Sequence, residues 1–149
     1  LLEPAARARQ IAADTLSFFR EAVFEHHAEE EKELFPAVLA SATKGEERQK
    51  VQVMVDQLVA EHRLVEAMWQ RMEPALKAMA KGHDCDLDID AVRALVDTYM
   101  GHARFEEQQF LPLSKTILGR NGDHMAALGV SLHMRRALPG VMERYGHRI

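Results

Sequence analysis

Two stretches of the chain repeat one pattern, and that repeat restricts the available folds more than any other feature. HHAEEEKELFP at 26–36 and HARFEEQQFLP at 102–112 superpose when one is shifted by 76 residues. His26 then meets His102, Glu30 meets Glu106, Glu31 meets Glu107, and Pro36 meets Pro112. Upstream, Leu16 coincides with Val92, Phe19 with Leu95 and Val23 with Tyr99. Agreement at so many chemically distinct positions points to a duplicated helical unit, a layout suited to a bundle with a site on its pseudo-twofold axis.

The rest of the sequence is consistent with helices alone. Helix formers dominate, hairpin signals are missing, and breaks fall at 41–45, 82–88, 118–123 and 139–140. The segments between them read as helices over about 4–40, 46–80, 88–117 and 123–137. The loop at 82–88 supplies Asp residues suited to N-capping. Pro36, Pro74 and Pro112 lie inside the helical segments, where each predicts a kink or a local break.

At about 100° per residue, the first helix aligns Leu16, Phe19, Val23 and Leu34, with Glu30 in that stripe and His26 on its flank. The second aligns Val55, Leu58, Trp69 and Leu76 around His62, with Glu66 beside it. The third aligns Val92, Leu95, Tyr99 and Phe110 with His102 and Glu106 among them. Each helix thus turns ionisable groups into its own apolar face. Buried carboxylates and imidazoles are costly unless paired or metal-bound, and few Lys or Arg share these stripes.

A His and a Glu four residues apart stack on one helical face, so both can reach one metal or the Glu can bridge two. Imidazole nitrogen with carboxylate oxygen suits iron, manganese or zinc. Cys85 is the one cysteine, which argues against a thiolate site, excludes an internal disulfide and fits a reducing cytoplasm. His26, Glu30, His62, Glu66, His102 and Glu106 are the expected metal ligands. His27 lies near the same stripe and could exchange roles with His26; the repeat has Ala103 there, which favours His26. Glu66 reads as a ligand, with an acceptor behind a ligand or a solvent-facing acid as alternatives. Glu31 and Glu107 read as surface acids or as hydrogen-bond acceptors behind ligands, and Tyr99 as core, with a hydrogen bond to a ligand carboxylate as the alternative. Cys85, in a polar loop, reads as incidental.

The two repeated stretches resemble the metal-binding motifs of the hemerythrin-like (HHE cation-binding) family, and AEHRLVE at 60–66 resembles its intervening His-bearing helix. The likeness runs over residues 10–117. It implies an all-α, antiparallel four-helix bundle around two iron ions joined by an oxo or hydroxo bridge, with manganese or zinc as substitutes. It assigns His26, His62 and His102 as terminal ligands and Glu30 and Glu106 as bridging carboxylates. Two departures stand out. Glu66 occupies the place where oxygen carriers of the family have a second His on the middle helix, and Glu106 follows His102 by four residues where they have Asp after five. A carboxylate-richer set favours ferric iron, and so redox chemistry, sensing or iron homeostasis over simple oxygen carriage.

The expected function is binding of, or reaction with, O2 or a related small oxidant such as peroxide or nitric oxide. Alternatives are a peroxide- or ferrous-iron-processing di-iron enzyme and a metal-free helical interaction module. At 149 residues the chain reads as a single domain, 1–149, with a bundle core of about 4–117 and a C-terminal helical extension of about 123–149. His124 or His133 on that extension is a lesser candidate for a further ligand. His62 precedes His102 by 40 residues but only 25 lie upstream of His26, so the first bundle helix is expected to be absent from this sequence. The apolar groove left behind would invite a homodimer or an upstream segment to fill it. The formal charge of −4, with acids and bases intermixed, gives no nucleic-acid footprint, and no apolar run approaches the roughly 18 residues of a membrane span.

Overall fold

A computed structural model describes residues 2–120 together with 122, 129 and 130. Among them there are three long helices and no strand. Helix α1 spans 2–41, α2 spans Glu46–Ala80 and α3 spans 89–120. The further helix expected over 123–137, with His124 and His133, lies largely outside the described residues.

The connections follow from local chemistry. Gly45 adopts φ +104°, a conformation that costs an L side chain dearly, and turns the chain from α1 into α2. The Thr43 N–H donates to Glu47 Oε1 at 2.8 Å, satisfying a backbone donor at the mouth of α2. Asp88 caps α3 by accepting from the Ala91 N–H at 3.1 Å. Near the far end of α3, Arg120 donates to Glu47 Oε2 at 3.1 Å and to Thr43 Oγ1 at 3.3 Å, tying the end of α3 to the start of α2.

The three prolines act differently. The stretches Glu30–Leu34 and Glu106–Phe110 each form a π-helical turn, closed by Phe35 N–H on the Glu30 carbonyl and Leu111 N–H on the Glu106 carbonyl. These turns occupy equivalent places in the repeat. Each lies just before the proline, which has no N–H to offer and whose ring crowds the carbonyl four residues back; a wider turn relieves both. Pro74 causes no interruption of α2. It is exposed, as is Gln70 four residues back. A further π-helical turn at Phe19–Phe24 has no counterpart in the repeat, where 95–100 are α-helical.

Helix α2 packs against Leu2–Phe18 of α1 and Ile89–Phe105 of α3, while α1 and α3 meet through Phe35–Ser41 and Leu111–Arg120. The core forms two apolar blocks. One contains Leu16, Phe19, Val23, Val65, Trp69 and Leu95, with Phe19 stacked on Trp69 at 4.2 Å. The other contains Phe35, Val38, Val55, Leu58, Phe110 and Ile117, with Phe35 edge-on to Phe110 at 5.2 Å. Between them in sequence along all three helices lie the buried polar residues His27, Glu30, His62, His102 and Glu106. Leu34, expected in the core stripe, is half-buried and Phe35 takes its place, because the π-helical turn spends five residues where an α-turn spends fewer. No helix among the described residues is long and apolar enough to cross a membrane.

Candidate metal centre

Each helix delivers its polar residues at α-helical spacing. On α1, Val23, His27 and Glu30 follow one another at intervals of four and three and are all buried. On α2, His62 falls between Leu58 and Val65 and is fully buried. On α3, His102 and Glu106 are four apart and also buried. Packing of α2 on both neighbours brings these groups together. Donor atoms of Glu30, His62, His102 and Glu106 all lie within 4.8 Å of one another, and so do ring nitrogens of His27, His62 and His102.

The imidazoles have defined partners. His62 Nε2 lies 3.2 Å from Glu30 Oε2, without the alignment of a hydrogen bond, and its Nδ1 pairs with Glu31 Oε2 at 2.9 Å. His102 Nε2 lies 3.5 Å from Glu106 Oε2, and its Nδ1 pairs with Glu61 Oε1 at 2.8 Å. In both, a carboxylate from a neighbouring helix holds Nδ1 and leaves Nε2 toward the acids, the arrangement by which a second carboxylate fixes the ring of a metal-binding histidine. The His27 ring stacks on His62 at 3.7 Å and 9°, with its buried Nδ1 3.5 Å from Glu66 Oε1 and making no hydrogen bond.

Burial lowers the His27 pKa to about 3, helped by the neighbouring His62 ring. His102 is lowered as well by burial, against the opposing pull of its Glu61 hydrogen bond. Both rings are therefore neutral at pH 7 and have a lone pair to offer. Tyr99, partly buried beside the acids, has its phenol pushed up by burial and then by Glu106 and Glu30, so it remains a protonated donor.

Of the six residues expected from sequence, four converge: Glu30, His62, His102 and Glu106. His26 stands at the edge, its side chain 27% exposed, with Nε2 2.6 Å from Glu30 Oε1. Glu66 lies outside the convergent set; its Oε2 takes a 2.7 Å ion pair from Arg63, which also pairs with Glu31. Glu61 was not anticipated. Its role depends on a partner 41 residues away, and the one local clue is its place next to His62. His26, His27, Tyr99, His102, Ala103 and Glu106 line a small cleft between α1 and α3 that leads to this centre.

These donors suit a cation. Two carboxylates buried to 1% and 5% exposure face one cluster of imidazoles, and buried ring nitrogens of His27 and His62 lack hydrogen bonds. A divalent ion would neutralise the first and bind the second.

The family model for the hemerythrin HHE cation binding domain matches residues 1–114. The chain belongs to the hemerythrin HHE cation-binding family. A relative in Haemophilus influenzae, described as an uncharacterized protein, is 28% identical over 116 residues, covering 75% of this chain and 64% of its own length. This hemerythrin-type chain thus spans less than two thirds of that relative. No solved structure matches it. Family membership and the buried His/Glu cluster both point to metal binding at this site.

Proposed function

We propose that the protein is a non-haem di-iron protein that binds or reacts with O2 or a related small oxidant, in sensing, redox chemistry or iron homeostasis. The observation that carries this reading is the convergence of Glu30, His62, His102 and Glu106 from three helices, all within 4.8 Å, with outer carboxylates behind two of the histidines. In this reading Glu30 and Glu106 would supply the carboxylates that hold the ions, and His62, His102 and an imidazole of the His26–His27 pair would supply ring nitrogens. Manganese or zinc could substitute, since none of these donors is specific to iron. The three helices belong, in this reading, to an antiparallel four-helix bundle, and a reducing cytoplasm suits both ferrous loading and the free Cys85.

Bound iron would supply redox chemistry toward a small oxidant. The chain's own residues shape access to it. The small cleft between α1 and α3, lined by His26, Tyr99 and Ala103 among others, would be the route for a small oxidant. Tyr99, kept protonated, is a hydrogen-bond donor at that entrance. Glu31 and Glu61 hold the rings of His62 and His102 in place. The apolar blocks on either side limit water at the centre.

Iron analysis tests this directly. Anaerobic Fe(II) loading followed by air should give about two iron per chain and the near-ultraviolet absorption of bridged ferric iron. A folded protein that takes up neither Fe(II) nor Zn(II) overturns the proposal.

A further inference from the structure

The repeated motif gives His26 a partner in His102 and leaves its neighbour His27 with no task. Their surroundings are reversed from that expectation. His27 is 2% exposed, stacks on His62 at 3.7 Å, and has a ring nitrogen within 4.8 Å of those of His62 and His102. The His26 side chain is 27% exposed and is engaged with Glu30 at 2.6 Å.

A pattern shared by the three buried rings adds to this. Each turns Nδ1 toward a carboxylate of an adjacent helix: His62 toward Glu31 at 2.9 Å, His102 toward Glu61 at 2.8 Å, His27 toward Glu66 at 3.5 Å. The third distance is longer than a hydrogen bond, and His27 Nδ1 has no other hydrogen-bond partner. Arg63 grips Glu66 and Glu31 together, so the carboxylates behind His27 and His62 share one anchor.

We infer that His27 is an imidazole ligand of the bound cation, through Nε2, and that Glu66 is its positioning carboxylate and not itself a ligand. This rests on the metal-binding reading above and adds to it. An imidazole with Nδ1–H directed to a carboxylate is fixed in one tautomer and made more basic at the opposite nitrogen, which is what a ligand position needs. Glu66 lies outside the convergent donor set, and both its oxygens accept from Arg63, at 2.9 and 2.7 Å.

Long-range proton–nitrogen NMR on the wild-type protein loaded with Zn(II), with ring nitrogens assigned, reads the ligands without any substitution. The expected result is metal-shifted Nε2 signals for His27, His62 and His102. Zn(II) affinity should fall roughly 10–100-fold in both His27→Gln and Glu66→Gln. Wild-type protein that binds no Zn(II) or Fe(II) overturns the metal-binding reading and this inference with it. Zn(II) bound with His26 shifted and His27 unshifted, or His27 bound through Nδ1, overturns this inference alone.

Discussion

Burial sets the acid–base behaviour of single residues at the centre. Burial disfavours the charged form of His27 and lowers its pKa to about 3 in the folded protein, against 6.5 for a free histidine. Between those values the unfolded chain carries a proton that the folded chain does not. The contribution to stability is therefore complete above about pH 6.5 and is lost as pH falls toward 3, at about 1.4 kcal/mol per pH unit for one such histidine. His102, also lowered, acts in the same direction. Chelator-treated protein should thus melt at progressively lower temperature from pH 7 to pH 5, and His27→Phe, which keeps a ring against His62, should flatten the slope by about one proton. An unchanged slope in that variant would contradict the account. The sequence was legible at this scale where helical spacing decides: Val23, His27 and Glu30 already stand at the intervals of one buried face. The repeat argued the other way by setting Ala103 against His27. Ala103 is itself buried, so the two halves share the burial of that position and differ in its chemistry. Glu61 was illegible because no local pattern tells which neighbouring helix a flanking acid will meet.

The elements were nearly all readable from periodicity and breaks. Helices expected over about 4–40, 46–80 and 88–117 run over 2–41, 46–80 and 89–120. The local form of the prolines was not readable, since Pro36, Pro74 and Pro112 look alike in sequence. All three are exposed, as are Lys32, Gln70 and Gln108 four residues before them, so exposure does not separate them; the two that follow π-helical turns are the two that belong to the repeated motif. The π-helical turn at Glu30–Leu34 has a consequence for deletions. Removing Lys32 leaves Phe35 N–H four residues from the Glu30 carbonyl, an α-helical bond, with Glu30 and Phe35 still on their buried faces. Removing Ala28 instead rotates His26 and His27 by about 100° relative to Glu30. We expect the Lys32 deletion to retain Zn(II) binding within a few-fold and the Ala28 deletion to abolish it, as measured by competitive titration with circular dichroism to verify folding. Equal losses in the two would refute this role for the turn.

For the whole molecule, the polar layer lies between two apolar blocks and crosses all three helices. Without a cation, its buried acids oppose the packing on both sides; with one, they hold the helices together. A free-ion concentration of one hundred times Kd adds about 2.7 kcal/mol to stability, so the melting temperature should rise with Zn(II) and fall again on chelation. A midpoint insensitive to both would mean that the layer is neutralised some other way. The carboxylate–imidazole pairs also have a geometric consequence: each runs from one rod to the next, Glu31 to His62, Glu61 to His102, and Glu66 toward His27. Sliding a rod by a single residue displaces it 1.5 Å along its axis, several times the tolerance of such a contact. The centre therefore works as a vernier for the alignment of the whole domain, and a distant packing defect that shifts one rod would be felt there first.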